Sequence, residues 1–396
     1  FVQFYFLKYA TDVLLLSPAL VGALFAAAKL WDGVSDPLVG SWSDRSHFRL
    51  GRRRPFLLAA LPFLLLGFWM LYAAPSALGG APLVAWLALA LFVFFTALTI
   101  YAIPHAALGA GLSPVVHERT RLFAARQMSF TVGMLLAFGG IQLAMNAADP
   151  RTLTASLAAP AALVAVLVLA ITPLAIREPD GGQASGGKGL VHGARDVLGS
   201  RPARLLFLVF FIESAGVGAV GTMAPYVAEY VLGRPDVVGT LPAAYVISAV
   251  ISIPLWVWLS KRFGSRNTWL SPMLLAATAF AGMLTVGEGE VALLLFLLVF
   301  AGIAMGCGGV LASSILAQVI DMDARRTGER KEGLYSAAMT FVLKVGTSLS
   351  LAVSGFVLDA LDFVPNAAQS PESLLGIRVL FAGMPCAGFV VGAFLF

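Results

Sequence analysis

Apolar runs of bilayer-spanning length, repeated along the chain and separated by short polar breaks, constrain this sequence more than any motif in it. A hydrocarbon core of about 30 Å needs roughly 20 apolar residues per helix, so 396 residues leave room for about a dozen spans. Spans are predicted near 1–16, 18–42, 55–75, 82–111, 121–146, 155–176, 204–232, 236–260, 267–287, 291–320, 333–361 and 374–396. With 59% hydrophobic and 12% charged residues and a mean hydropathy of +0.88, lipid is the chain's main solvent, and a soluble protein of this make-up would aggregate. The expected fold class is an all-α membrane protein of twelve transmembrane helices. The sequence opens on an apolar run without Met and closes inside another, so we read it as the ordered part of a longer protein, with no signal peptide.

The basic residues sort by loop. Arg45, Arg49, Arg52 to Arg54, Arg119, Arg121, Arg177, Lys188, Arg195, Arg201, Arg204, Lys261, Arg262, Arg266, Arg325, Arg326, Arg330 and Lys331 fall after even-numbered spans, whereas the opposite loops hold Arg151, Arg234 and Arg378. By the positive-inside rule this places both termini in the cytoplasm. The net charge of +5 therefore reports topology, and no basic stripe with interleaved aromatics suggests nucleic acid. Cys307 and Cys386 lie far apart in apolar spans and read as small core residues rather than a disulfide or metal pair. No nucleophile motif, metal-ligand cluster or cofactor loop points to an enzyme, and no cofactor is expected.

A Gly/Ser-rich stretch, G-G-Q-A-S-G-G-K-G, sits midway along the chain. Gly182 to Lys188 imitates a phosphate-binding loop, but Gly189 stands where Ser or Thr is required and no strand precedes it. The chain is thus divided into a six-helix bundle over 1–176, a cytoplasmic linker over 177–203 and a second six-helix bundle over 204–396. The halves echo one another: P-L-V-G-S-W-S-D-R from Pro37 matches P-L-W-V-W-L-S-K-R from Pro254. Substrate sites in duplicated halves commonly lie at their interface near the midplane. The repeat fails at Asp32 and Asp36, which align with Ala249 and Ile253, so the fold itself does not require the carboxylates.

An ionisable residue at mid-span costs about 2.5–3.5 kcal/mol on insertion scales, and two within four residues need a partner or a task. At spacing i, i+4 Asp32 and Asp36 share one helix face, which suits a monovalent cation or a proton relay; pairing with Lys29 is the alternative. A rise of 1.5 Å per residue puts Asp32 about 15 Å from the cytoplasmic end of its span, with Thr99, Arg126, Glu213 and Lys344 at about 8–18 Å, a charged layer at mid-membrane. Structural salt bridging remains open for each of them.

At these residues a resemblance enters. K-L-W-D-G-V-S-D-P-L-V-G-S-W-S-D-R with G-R-R-R-P-F resembles the second span and following loop of the glycoside-pentoside-hexuronide:cation symporters, the melibiose-permease-like branch of the major facilitator superfamily. D-M-D-A-R-R-T-G-E-R-K-E-G from Asp321, followed by F-V-L-K-V-G, is similar to that family's loop after the tenth span. The resemblance implies the major facilitator fold, two pseudo-symmetric six-helix bundles and alternating access. It implies a coupling cation held by Asp32, Ser35, Asp36 and Thr99, a Lys344 that competes with it, and an Arg126 that faces substrate. Sodium, held by Asp32 and Asp36 as metal ligands, is the first expectation because these are hard oxygen donors, and protons are the alternative.

For the substrate, the resemblance implies a small molecule such as a sugar or glycoside. The family's fourth-span sugar-binding carboxylate, however, aligns with Ala102. F-I-E ending at Glu213 is similar to the sodium-dependent lysophosphatidylcholine symporters, so Glu213 with Arg126 is the candidate pair for a zwitterionic headgroup of an amphiphile. A receptor or assembly factor that keeps the fold without transport is a further alternative.

Several positions have plainer expectations. Lys8 and Asp12, four apart, pair with one another. His105 hydrogen-bonds a neighbouring helix, and Gly302 and Gly306 permit close helix packing. Asp44, Arg52 to Arg54 and the 321–333 loop are read as cytoplasmic latches. The partners expected are substrate, coupling cation and bilayer, with no nucleic acid and a protein working as a monomer. Richness in Ala, Leu, Gly and Arg suggests a GC-rich bacterium and its inner membrane.

Overall fold

The computed structural model describes residues 1–46, 48–112, 116–176, 199–327 and 332–395. Those residues are helical almost throughout. The order is α1 (Val2–Lys8), α2 (Pro18–Arg45), α3 (Arg54–Tyr72), α4 (Gly80–Gly111), α5 (Val116–Met145), α6 (Pro150–Ala175), α7 (Arg201–Tyr226), α8 (Thr240–Phe263), α9 (Ser265–Met283), α10 (Val291–Thr327), α11 (Glu332–Ala360), α12 (Pro371–Arg378) and α13 (Met384–Leu395). Among the described residues nine helices are long and apolar enough to cross a membrane, and the order is compatible with the twelve spans expected. Three π-helical turns, Tyr9–Val13, Val227–Val231 and Val379–Gly383, continue α1 and α7 and join α12 to α13.

One boundary differs from expectation. The D-M-D-A-R-R-T stretch from Asp321, read above as loop, continues α10 to Thr327. No Gly or Pro interrupts it, and Met, Ala and Arg are good helix formers. The remainder of that motif at 328–331 and almost all of the 177–203 linker lie outside the described residues, as do the side chains of Asp44, Arg119 and Arg121.

The chain forms two compact units. One comprises Phe1–Ala23, Leu135–Asn146 and Gly187–Phe396; the other comprises Leu24–Met134 and Ala147–Gly186. In the smaller unit Leu57, Leu61 and Leu64 of α3 pack on Ala97, Tyr101 and Leu108 of α4. Between lipid-solvated helices there is little hydrophobic drive, so fit and hydrogen bonds decide association. Accordingly Gly67 gives α4 room, since a Cβ there would meet the Phe94 backbone at 2.8 Å. The Tyr101 hydroxyl donates to the Leu169 carbonyl at 2.7 Å, tying α4 to α6. Arg53 donates to the Ala107 carbonyl and Arg54 to that of Pro173, each at 2.8 Å. Those two residues of the expected latch thus tie helix ends together inside one unit.

In the larger unit small residues again set the contacts. A Cβ at Gly302 or Gly306 of α10 would run into the Ser248 or Ser252 hydroxyl and the Tyr245 or Ala249 carbonyl of α8, so the glycine pair does permit the close packing expected of it. Ser252 and Trp256 then donate to the Ile303 carbonyl at 3.0 and 2.6 Å. Helix α7 is enclosed in the same way, with Gly218 against Thr347 and Ser350 of α11 and Gly216 against Pro385 of α13. Cys307 and Cys386 are free thiols, as expected.

Candidate cation and substrate site

Helical spacing places Asp32, Ser35 and Asp36 on one face of α2, and Thr99 of α4 lies against that face. The Thr99 hydroxyl is 2.6 Å from Asp32 Oδ1 and 3.2 Å from Asp36 Oδ1. A threonine has one proton to donate, so it serves one carboxylate at a time. The Ser35 hydroxyl lies 3.2 Å from the Asp32 carbonyl and 3.4 Å from Thr99 Oγ1. Asp32, Ser35 and Thr99 are buried and Asp36 is half-buried. The four residues singled out for a cation are therefore brought together as a cluster of oxygen donors.

Lys29, the alternative partner, is also present. Its ammonium lies 3.6 Å from Asp32 Oδ2 and 4.2 Å from the centre of the Phe95 ring. A pair at that distance, leaning on an aromatic face, is an ion pair without a close hydrogen bond. The 2.6 Å contact from Thr99 to Asp32 is shorter than this 3.6 Å separation.

The other expected site residues are distributed over both units. Arg126 is exposed on α5, within electrostatic reach of His105 on α4. His105 stacks on Tyr101 with ring centres 5.4 Å apart, a ring contact one turn away in place of the hydrogen bond expected. Lys344 on α11 is half-buried, and its carbonyl accepts from the Ser348 and Thr347 hydroxyls.

Glu213 on α7 lies in the wall of a partly open cavity of about 450 Å³ lined by α7, α9, α10, α11 and α13. The Trp269 indole of α9 hydrogen-bonds its carboxylate. Tyr245 and Cys307 are within electrostatic reach of it. Sequence reasoning named Glu213 but not Trp269 or Tyr245, which have no charge to flag them.

A second polar cluster was half anticipated. Lys8 pairs with Asp12, as expected, and also with Glu229 at 2.7 Å. Tyr230 donates to the Asp12 carboxylate, Thr11 donates to it at 2.6 Å, and the Asn366 side chain donates to the Asp12 carbonyl at 2.8 Å. The ammonium lies 4.0 Å from the Tyr230 ring centre. Glu229 and Asn366 escape sequence reasoning because they are distant in the chain and stand near span ends, where a polar residue draws no attention.

Comparison with known proteins adds the following. Residues 1–396 match the family described as MFS/sugar transport protein. The chain is 26% identical to the isoprimeverose transporter of Lactiplantibacillus pentosus over 406 residues, covering 99% of this chain and 83% of the relative. It is 24% identical to the sodium-dependent lysophosphatidylcholine symporter 1-A of Danio rerio, covering 99% and 81%. The structure resembles that of the nucleoside transporter NupG with a TM-score of 0.71 at 15% identity, covering 100% of this chain and 97% of that one.

Proposed function

This chain belongs to the MFS/sugar transport protein family, and from that premise we propose that it is a cation-coupled symporter working by alternating access. It is a multi-pass membrane transporter and not an enzyme. The observation that carries cation coupling is the convergence of Asp32, Ser35, Asp36 and Thr99, with Thr99 Oγ1 2.6 Å from one carboxylate and 3.2 Å from the other. Oxygen donors at one depth suit sodium or a proton. Sodium is also supported by the sodium dependence in the name of the Danio rerio relative.

In this reading Asp32 and Asp36 are the sodium ligands, Ser35 and Thr99 complete the shell, and Lys344 competes for the carboxylates. Arg126 faces substrate. The two sequence halves, 1–176 and 204–396, rock about the site as a monomer in a bacterial inner membrane, with both termini cytoplasmic. A sugar or glycoside is the leading substrate, supported by the family's description and by the isoprimeverose transporter. Glu213 in the wall of an apolar cavity favours a second reading, an amphiphile of the lysophospholipid kind.

Thermal unfolding of the purified protein in sodium, lithium, potassium and choline chloride tests the coupling, because a bound ion raises the midpoint with site occupancy. Sodium-selective stabilisation that disappears in Asp32→Asn and Asp36→Asn is expected. Identical curves in every salt, at two pH values and in all three proteins, would remove the symport reading.

A further inference from the structure

Glu213 presents a carboxylate to a space that is otherwise apolar. Phe210, Met273, Met305, Leu343 and Phe389 make up much of the surrounding wall. Within its own unit, and among the described residues, no cationic side chain forms an ion pair with Glu213. Among the described residues one hydrogen bond, from the Trp269 indole, reaches the carboxylate, which has about four acceptor sites. Close by, the buried Tyr245 hydroxyl has no hydrogen-bond partner among the described residues. A mid-membrane carboxylate that keeps most of its acceptor capacity open calls for a ligand that brings donors and positive charge.

The chemistry of the wall narrows the class. A calcium or magnesium ion needs about six oxygen ligands, and here, where one carboxylate stands in place of the two at Asp32 and Asp36, the other two hydroxyls of the wall are already directed at backbone: Ser214 donates to the Phe211 carbonyl at 2.9 Å and Thr347 to that of Leu343 at 3.0 Å. Among the described residues no group of three or more His, Cys, Asp or Glu is placed to hold a metal. A sugar, with hydroxyls around its whole rim, finds too few partners for them on this surface. A phosphate or sulfonate is repelled by the carboxylate. What remains is an organic cation, whose nitrogen pairs with Glu213 while its carbon skeleton covers Met and Phe. The aromatic faces of Phe210, Phe389 and Trp269 add cation–π attraction.

The geometry points to the Glu213 cavity as a binding site for an amphiphilic ammonium compound, with Glu213 as its counter-ion and the cavity as the sleeve for its apolar part. This departs from the lysophospholipid reading above by taking a simple ammonium in place of a phosphate-bearing headgroup, and rests on the transporter assignment only in making the ligand a cargo; binding itself is independent of coupling.

The test is equilibrium binding of tritiated 4-phenylbutylammonium to the full chain in lipid nanodiscs, with unlabelled 4-phenylbutan-1-ol and methyl β-galactoside as competitors. The alcohol matches the amine in shape and lacks its charge. Saturable binding is expected, with the alcohol at least about tenfold weaker than unlabelled ammonium, the galactoside without effect, and Glu213→Gln about tenfold weaker in affinity. Equal competition by alcohol and ammonium, displacement by the galactoside, or an unchanged affinity in Glu213→Gln would each overturn the proposal. The competitor comparison uses the unaltered chain and so stands even if a variant fails to fold. Ammonium binding lost while sodium stabilisation through Asp32 persists removes the Glu213 site alone; the converse removes symport alone.

Discussion

Lys8 on α1 lies 2.7 Å from the Glu229 carboxylate on the π-helical turn after α7, and the same ammonium holds Asp12 one turn further along its own helix. Lys8 is almost fully buried, at 3% exposure, so the two acids depend on one largely desolvated cation. Removing one member of a buried ionic cluster is far more damaging than replacing the set, because it leaves charge without compensation. Lys8→Met is therefore expected to lower unfolding free energy by about 3–5 kcal/mol. The triple variant Lys8→Met, Asp12→Asn, Glu229→Gln is expected to recover most of that loss. Denaturant unfolding in mild detergent compares them, and a triple variant no more stable than Lys8→Met counts against the argument.

Thr99→Ala removes the donor that reaches Asp32. A hydrogen bond to a charged group contributes about 1.5–3 kcal/mol, so the variant is expected to lose that much stability and to show a smaller sodium response. Thr99→Ser keeps the hydroxyl and restores both. Restoration by Thr99→Val, which keeps only the shape, would show that packing and not the hydroxyl matters.

Gly306→Ala is expected to destabilise the protein by about 1–3 kcal/mol, the usual range for overpacking, because its methyl group enters the space of the Ser252 hydroxyl and the Ala249 carbonyl. Gly133 on α5 meets nothing within 4 Å, and Gly133→Ala should be neutral or slightly stabilising. Thermal midpoints of the pair separate a specific clash from a general intolerance of substitution.

Much of the fold was legible because a bilayer writes its demands in long apolar runs: α2, α3, α4, α6 and α8 begin and end within a few residues of the predicted spans. The carboxylate pair was legible for the complementary reason, that Asp32 and Asp36 are costly where they stand and share a face. Thr99 was reached through depth and resemblance. The Glu229 end of the Lys8 cluster was not, because two acids on different helices reveal a common partner only after α1 and α7 have packed. The Tyr245 hydroxyl was hidden similarly, since nothing in a sequence marks which buried phenol lacks a partner. The continuation of α10 through Asp321 to Thr327 was missed because charge was taken as the end of the helix, whereas charge ends only the apolar part of it.

Asp149 offers a pH-dependent control far from these sites. It caps the N-terminus of α6, accepting from the Thr152 amide at 3.1 Å and from the Thr152 hydroxyl, and the Thr152 side chain foremost, with the amide, holds its carboxyl below the ordinary aspartate range. With the folded pKa depressed, its contribution is full above the unfolded value and fades as pH falls through the folded one. Asp149→Ala should unfold at a lower temperature than the unaltered chain at neutral pH, and the two midpoints should converge in acid. A gap that persists in acid would assign the effect to helix propensity instead of the cap.

Ser252 stands in the second half where Ser35 stands in the first, by the same register that sets Ala249 opposite Asp32. In one copy the serine lies against a threonine that reaches two acids; in the other it clasps the Ile303 backbone across a glycine seam. The duplicated helix pair has thus been put to two trades, a knot of acids and hydroxyls in one copy and a rivet in the other. A chimera built by repeating either half would inherit two of one device and none of the other.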